Sequence, residues 1–265
     1  MSTPIAKSHS ASIEAPPPSH PDTSRPLAPG ASRGLHYRKG ARRRRRRGGE
    51  LSRHRTVPRT ALNVAPTQRI AVVVERPDNE RAVVGYRWGL VPSWTDRKAR
   101  APERMFNARA ETVALRPAFR GLLAKHRLIV PADGFYEWRR GPELARQPYY
   151  IRRADGRPLA LAGLWASWHD PESLGHDDPL RSATILTTVP NELLSAVHNR
   201  MPVVLSEFDW DRWLDPAVTD EASFFPLLQP APDDLLEAIP VGPLVNSARN
   251  QGRELVEAVG PALIV

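Results

Sequence analysis

The sequence predicts a domain rich in β-strands and turns, with only short helices. The 265 residues include 28 prolines and 16 glycines, which interrupt long helices and favour turns. Short apolar runs bounded by turn residues recur along the chain, a pattern typical of strands. A hydrophobic content of 41% is sufficient for a core, and the length suits one large domain or two small ones.

Composition also excludes several classes of site. The sequence contains no cysteine, which rules out disulfides, thiolate metal sites and a thiol nucleophile within it. No apolar stretch is long enough to predict a membrane span, and the first residues lack the apolar segment of a secretory signal. We therefore expect a cytoplasmic protein, with no membrane partner, metal or cofactor.

The positive charge is concentrated in residues 1–60, which we predict to be a disordered tail. They carry 14 Lys and Arg against 3 Asp and Glu, whereas residues 61–265 carry 24 against 26. The tail is rich in Ser, Pro, Ala and Arg and has few residues able to form a core. The run Arg42 to Arg47 fits either a nucleic-acid-binding arm or a solvated tail without a selected role.

Order is expected to begin near residue 61, after which two strands form a hairpin. Residues 70–75 and 82–90 are the strands, and 76–79 form the turn between them. Trp88 and Trp94 flank a proline bend at the end of the second strand. Core packing is the usual role of tryptophan, and the functional alternative is a platform on which DNA bases stack.

The next polar cluster is Asn107 with Arg109, which we place where a basic loop leads into a short helix at residues 117–124. An amide can orient a reacting group, and a guanidinium can hold a phosphate. Asn-x-Arg is too common a pattern to identify a site alone.

A second cluster surrounds Glu137. The apolar residues 128–130 lead to Pro131, which blocks a helix, and a turn at 133–134 precedes a strand at 135–138. Alternation places Glu137 on the same face as Phe135. If that face is buried, the carboxylate must either be paired or have a pKa that rises toward neutrality, as in a general acid or base. The alternative is a solvent-facing glutamate at a strand end, and the segment alone does not decide.

The remaining elements follow from the same patterns. We predict strands at residues 147–152, 157–168, 182–189, 203–205 and 239–245, with short helices at 191–197 and 208–214. His198 and Arg200 lie in the turn after the first of these helices. A lone histidine at a helix end is usually a cap or a surface residue.

Six motifs, taken in order, resemble the SOS response-associated peptidase family, also described as abasic-site processing proteins. The motifs are Asn-Val-Ala-Pro-Thr at 63–67, Trp-Gly-Leu-Val-Pro-Ser-Trp at 88–94, Asn-Ala-Arg-Ala-Glu-Thr at 107–112, Val-Pro-Ala-Asp-Gly-Phe-Tyr-Glu-Trp at 130–138, Ala-Gly-Leu-Trp at 162–165 and His-Asn-Arg-Met-Pro at 198–202. The resemblance covers residues 61 to about 259. It implies a single α+β domain of curved antiparallel sheets with short peripheral helices.

The resemblance also implies a function and a site. In the family, an N-terminal cysteine attacks the ring-opened sugar of an abasic site in single-stranded DNA, and its amine and thiol close a thiazolidine crosslink. Asn107, Glu137 and His198 match the family's catalytic residues: the pocket amide, the acid/base carboxylate and the histidine that assists ring opening. Residues matching or suggested as DNA contacts are Arg109, Trp138, Arg200, Trp88 and Trp94.

The sequence departs from the family at the nucleophile. The motif Met-Cys-Gly-Arg is absent, residue 2 is Ser2, and residues 1–60 show no counterpart of the family's first strand. We expect either an incorrect start or reading frame in this segment, or a member without its nucleophile. As written, the chain cannot close a thiazolidine.

Three functions compete on the sequence. The first is an abasic-site processing protein that binds single-stranded DNA, which we expect to be a monomer. The second is a module that binds single-stranded DNA without covalent chemistry. The third is a peptidase-like hydrolase that uses Glu137 and His198.

Overall fold

The computed structural model describes residues 61–76, 80–96, 105–140, 146–170, 172 and 178–264, together with a two-residue strand at 7–8. Most of the predicted tail, including Arg42 to Arg47, lies outside the described residues, as does the predicted turn at 77–79. The prediction of a disordered tail therefore stays a prediction.

The described residues form eleven strands and three α-helices, all of them short. The strands are β1 (Lys7–Ser8), β2 (Arg69–Glu75), β3 (Arg81–Trp88), β4 (Asn107–Arg109), β5 (Arg127–Ala132), β6 (Gly134–Arg140), β7 (Arg146–Arg153), β8 (Leu159–Trp168), β9 (Leu180–Thr188), β10 (Met201–Pro202) and β11 (Leu236–Pro240). The helices are α1 (Arg120–Leu123), α2 (Glu192–Ser195) and α3 (Trp210–Leu214). No described helix is long and apolar enough to cross a membrane.

The strands form two sheets. The smaller sheet has the order β1-β6-β7-β11, and all of its pairs are antiparallel. The larger has the order β10-β9-β3-β2-β5-β8, and β8 also pairs with β9, so that the order closes on itself. Strands β3 and β4 run parallel to β9. The predicted α+β class is confirmed, but the larger sheet is mixed rather than purely antiparallel.

The core has two main parts, one on each face of the larger sheet. On one face, side chains such as Val72, Leu161 and Ile185 pack with Phe135 and Ile151 of the smaller sheet. The opposite face includes Val73, Ile129 and the small residues Ala160, Ala162 and Ala166 of β8, and it is covered by α1, α3 and the segments beside them. Phe135, two residues before Glu137, and Phe106, next to Asn107, pack in the first of these parts.

The predicted hairpin is confirmed, since β2 and β3 pair antiparallel from Arg69 opposite Arg87 to Glu75 opposite Arg81. Three other predictions need correction. Asn107 begins a short strand rather than a loop, residues 203–205 contain only an isolated bridge at Val204, and the last strand occupies Leu236–Pro240 instead of 239–245. Each of these segments obtains its strand geometry from a partner that is distant in sequence, which a local pattern does not reveal.

Candidate active site

Glu137 lies on the buried face of β6. Phe135 and Glu137 alternate with Tyr136 and Trp138, and Phe135 enters the core between the sheets, whereas Tyr136 enters a separate cluster behind the smaller sheet. Glu137 is only 3% exposed. The structure therefore supports the buried alternative and not the solvent-facing one.

Burial changes the acidity of this carboxyl. Loss of solvation raises the pKa of Glu137 from its ordinary 4.5 to about 8, and a hydrogen bond with the Trp138 backbone opposes the shift only in part. Oxygen Oε2 is buried and has no hydrogen-bond partner among the described residues. Such a carboxyl carries a proton at neutral pH and can donate it to a reacting group.

His198 is a titratable neighbour of Glu137. Helix α2 is capped by Asn191, whose side chain accepts a hydrogen bond from the Leu194 backbone, and the chain turns after it so that His198 faces β6. His198 Nδ1 lies 3.7 Å from Glu137 Oε1. The same nitrogen lies 3.1 Å from the carbonyl oxygen of Arg200, to which a protonated Nδ1 would donate, and 3.3 Å from its amide nitrogen, from which an unprotonated Nδ1 would accept.

Asn107 reaches this side of the sheet through β4. Ala108 packs into the core on the opposite face, so the side chains of Asn107 and Arg109 point away from that core. Asn107 Oδ1 is buried and has no hydrogen-bond partner in the described part of the chain. Strand β4 pairs with β9, with Asn107 beside Ile185 and Arg109 beside Thr187.

Arg200 connects the turn that carries His198 to strand β9 and to Glu111. Its Nη2 donates a hydrogen bond of 2.6 Å to the carbonyl oxygen of Thr187 on β9. Its two terminal nitrogens also bind the carboxylate of Glu111, at 2.6 and 2.9 Å. Arg200 is predicted from the sequence to contact DNA, but in this structure its guanidinium is held by a carboxylate. This contact lowers the pKa of Glu111.

The three tryptophans proposed as DNA contacts have different environments. Trp88 is fully buried, and its Nε1 donates to the carbonyl oxygen of Phe106, so neither face of its ring is available to a base. This corrects the prediction that Trp88 stacks on DNA. Trp94 is 66% exposed. Trp138 is partly buried, and its Nε1 donates to Asn246 Oδ1 at 2.7 Å.

Sequence reasoning did not single out Glu111 or Thr187. Glu111 belongs to one of the quoted motifs, but no local signal indicates that it pairs with an arginine 89 positions away. Thr187 contributes through its backbone carbonyl, which any residue could supply. Across the residues that the structure describes, no group of three or more metal-ligating side chains is placed to hold a metal ion.

Comparisons with known proteins identify a family and several similar proteins. The family model described as "SOS response associated peptidase (SRAP)" matches residues 35–248, beginning within the predicted tail. The abasic site processing protein YoqW of Bacillus subtilis is 41% identical over 198 residues, which cover 75% of this chain and 86% of the relative. YedK of Escherichia coli is 31% identical over 198 residues, covering 74% of this chain and 84% of the relative.

Solved structures also share the fold. A protein from Bacteroides thetaiotaomicron is 27% identical, with a TM-score of 0.64 over 73% of this chain and 82% of its own. A protein from Bordetella bronchiseptica is 30% identical, with a TM-score of 0.60 over 71% of this chain and 89% of its own.

Proposed function

Because this chain belongs to the SOS response associated peptidase family, we propose that it recognises abasic sites in single-stranded DNA. The observation that carries the proposal is the buried carboxyl of Glu137, with His198 Nδ1 at 3.7 Å from it. The similar proteins YoqW and YedK are named abasic site processing proteins. We further propose that the protein acts in the cytoplasm as a monomer.

The site suits the chemistry of an abasic sugar. Such a sugar opens when the hydroxyl at C1 loses a proton and the ring oxygen gains one, which leaves an aldehyde. Glu137, protonated at neutral pH, can supply the proton to the ring oxygen, and His198 can accept the other. The Asn107 amide, whose Oδ1 is buried and unpartnered among the described residues, can orient the sugar hydroxyls.

Recognition of the surrounding strand must use groups other than a base edge, because an abasic site has no base to read. Phosphate contacts and stacking on flanking bases are the remaining means. Arg109 and Trp94 are exposed and offer a guanidinium and an aromatic face. Trp138 lies next to Glu137 in sequence and presents an indole partly covered by Asn246.

Formation of a covalent crosslink to the abasic site has a further requirement. The thiazolidine that the family resemblance implies needs a thiol, and the 265 residues contain none. We therefore propose that this chain binds abasic DNA without forming a stable crosslink. The proton-transfer residues are retained, whereas the thiol that would use them is absent from the sequence.

A binding experiment tests the proposal. Fluorescence anisotropy compares one labelled single strand with and without an abasic site, for the native chain and for Glu137→Gln and His198→Ala. We expect the native chain to bind the abasic strand about tenfold more tightly, equivalent to ~1.4 kcal/mol, and His198→Ala to lose most of this preference, whereas Glu137→Gln, a neutral isostere of the protonated carboxyl, keeps it. The same mixtures run on a denaturing gel are expected to show no surviving complex.

The control is Glu237→Gln, which removes an ion-paired carboxylate of β11 and leaves the pocket intact. Equal affinity for both strands, strongly weakened by salt, would favour the module that binds single-stranded DNA without recognising the lesion. A band that survives denaturation would contradict the claim that the chain cannot crosslink. Cleavage of a peptide that stops in Glu137→Gln would favour the hydrolase.

A further inference from the structure

The contact between Glu111 and Arg200 has a geometry that resembles recognition of a phosphate. Both terminal nitrogens of Arg200 bind the two oxygens of one carboxylate, at 2.6 and 2.9 Å. Paired N–H groups of arginine bind carboxylate and phosphate oxygens in the same two-pronged manner. The carboxylate of Glu111 thus occupies the edge of the guanidinium that a DNA phosphate would use.

The two partners differ in exposure. The side chain of Arg200 is 19% exposed, whereas that of Glu111 is 44% exposed. Glu111 is thus the more accessible partner, and Arg200 is the better anchored one. Glu111 also belongs to a single-turn 3₁₀ segment, Ala110–Thr112, so a rotation of its side chain needs no rearrangement of a long element.

Arg200 would remain in place if Glu111 left. Its Nη2 also donates to the carbonyl oxygen of Thr187 at 2.6 Å, and its backbone contacts the His198 ring on the other side. The hydrogen bond to Thr187 therefore holds the guanidinium near His198 independently of the carboxylate.

We propose that Glu111 mimics a DNA phosphate, occupying Arg200 in the free protein and giving way to a phosphate of the bound strand. This inference rests on the proposed function. It reconciles the predicted role of Arg200 with its observed pairing, because the arginine contacts DNA only after exchange of one anion for another. The competition reduces binding of strands that cannot place a phosphate there.

The test is the affinity for single-stranded DNA of Glu111→Gln, measured by anisotropy across a salt series. Without the competing charge, the variant is expected to bind about two- to fivefold more tightly, since a half-exposed ion pair is a weak competitor. The logarithm of its affinity should also fall more steeply with the logarithm of salt, by ~0.7, because in the native chain the displaced Glu111 carboxylate takes up a cation that offsets the one released from the phosphate.

The matched control is Glu237→Gln, which makes the same change in net charge by removing the partner of Arg152 on the smaller sheet. Equal gains in the two variants would overturn the proposal, because they would reflect net charge alone. The double variant Glu111→Gln with Arg200→Gln is expected to lose the gain. All variants carry the same Arg42 to Arg47 run, so its contribution cancels in the ratios.

The outcomes separate this inference from the proposed function. If the native chain prefers abasic DNA and Glu111→Gln binds no more tightly, the competition is wrong and the function stands. If neither protein binds DNA, the proposed function is wrong. Thermal unfolding in the presence of inorganic pyrophosphate then tests whether Glu111 competes with a phosphate for Arg200. A rise in melting temperature in Glu111→Gln but not in the native chain would support it, and no difference would overturn it.

Discussion

At the scale of single residues, the buried environment of Glu137 governs the acidity of its carboxyl. A carboxyl of ordinary pKa would be ionised at neutral pH and could act only as a base. Burial raises its pKa to about 8, so the folded protein retains a proton that the unfolded chain releases. The same shift that prepares a proton donor also makes stability depend on pH.

The direction of this dependence follows from proton linkage. Between pH 4.5 and about 8 the folded state binds more protons at Glu137 than the unfolded state, so the free energy of unfolding falls as pH rises through this window. Glu137→Gln cannot lose a proton. Its stability relative to the native chain should therefore improve by about 2–4 kcal/mol between pH 4.5 and pH 8.5, as measured by urea unfolding.

Glu237→Gln is the control for that series, because its carboxylate is paired with Arg152 outside the pocket. The free energies of unfolding of Glu137→Gln and the native chain are compared at each pH. If their difference stays constant across this window, the carboxyl titrates normally in the folded state.

The residue types alone did not determine whether Glu137, Trp88 and Trp94 are buried. The alternation around Glu137 identified which neighbours share its face but not which face is buried, because that depends on the packing of the second sheet. Trp88 and Trp94 lie in one short motif, yet one is fully buried and the other 66% exposed. The two environments differ because the strand ends at Trp88 and the chain bends before Trp94, which leaves only Trp88 in the core.

At the scale of elements, the larger sheet depends on close approach at Gly163 of β8. A Cβ at this position would lie 2.6 Å from Leu128 Cδ1 and 2.7 Å from the carbonyl oxygen of Thr184. The neighbours belong to β5 and β9, which flank β8 on its two sides. The small residue therefore allows both strands to pair with β8 without a steric conflict.

Gly163→Ala is accordingly expected to lower the free energy of unfolding by about 1–3 kcal/mol, because a fixed backbone oxygen cannot move aside. The measurement is chemical unfolding followed by circular dichroism. Gly121→Ala in α1 is the matched control, because a Cβ there meets nothing within 4 Å. It should be neutral or stabilising by about 0.5–1 kcal/mol. Equal effects of the two changes would contradict the role of Gly163.

Elements with strong local patterns were predictable, and those made by distant partners were not. The β2–β3 hairpin follows from two β-branched runs joined by a turn. Strand β4 has only three residues and is a strand because β9 lies beside it in parallel. The pairing of Arg200 with Glu111 has the same origin, since tertiary structure brings together segments separated by 89 positions.

At the scale of the whole molecule, the sequence predicted the α+β class and the family through ordered motifs. It did not predict that β8 pairs with β9 and closes the larger sheet, because strand order is set by long-range pairing. This closure matters to the site, since β9 carries Thr187 and pairs with β4, which begins with Asn107. The contacts of His198 and Arg200 with Glu111, Glu137 and Thr187 thus join four separate parts of the chain.

The central claim is that this fold, which belongs to the SOS response associated peptidase family, holds a protonated carboxylic acid at neutral pH next to His198. The most direct test is an NMR titration of the side-chain carboxyl carbon of Glu137, assigned by its absence in Glu137→Gln. We predict a midpoint near pH 8. A midpoint at the ordinary value near 4.5 would contradict the account, because the carboxyl would then be ionised and could not serve as the proton donor.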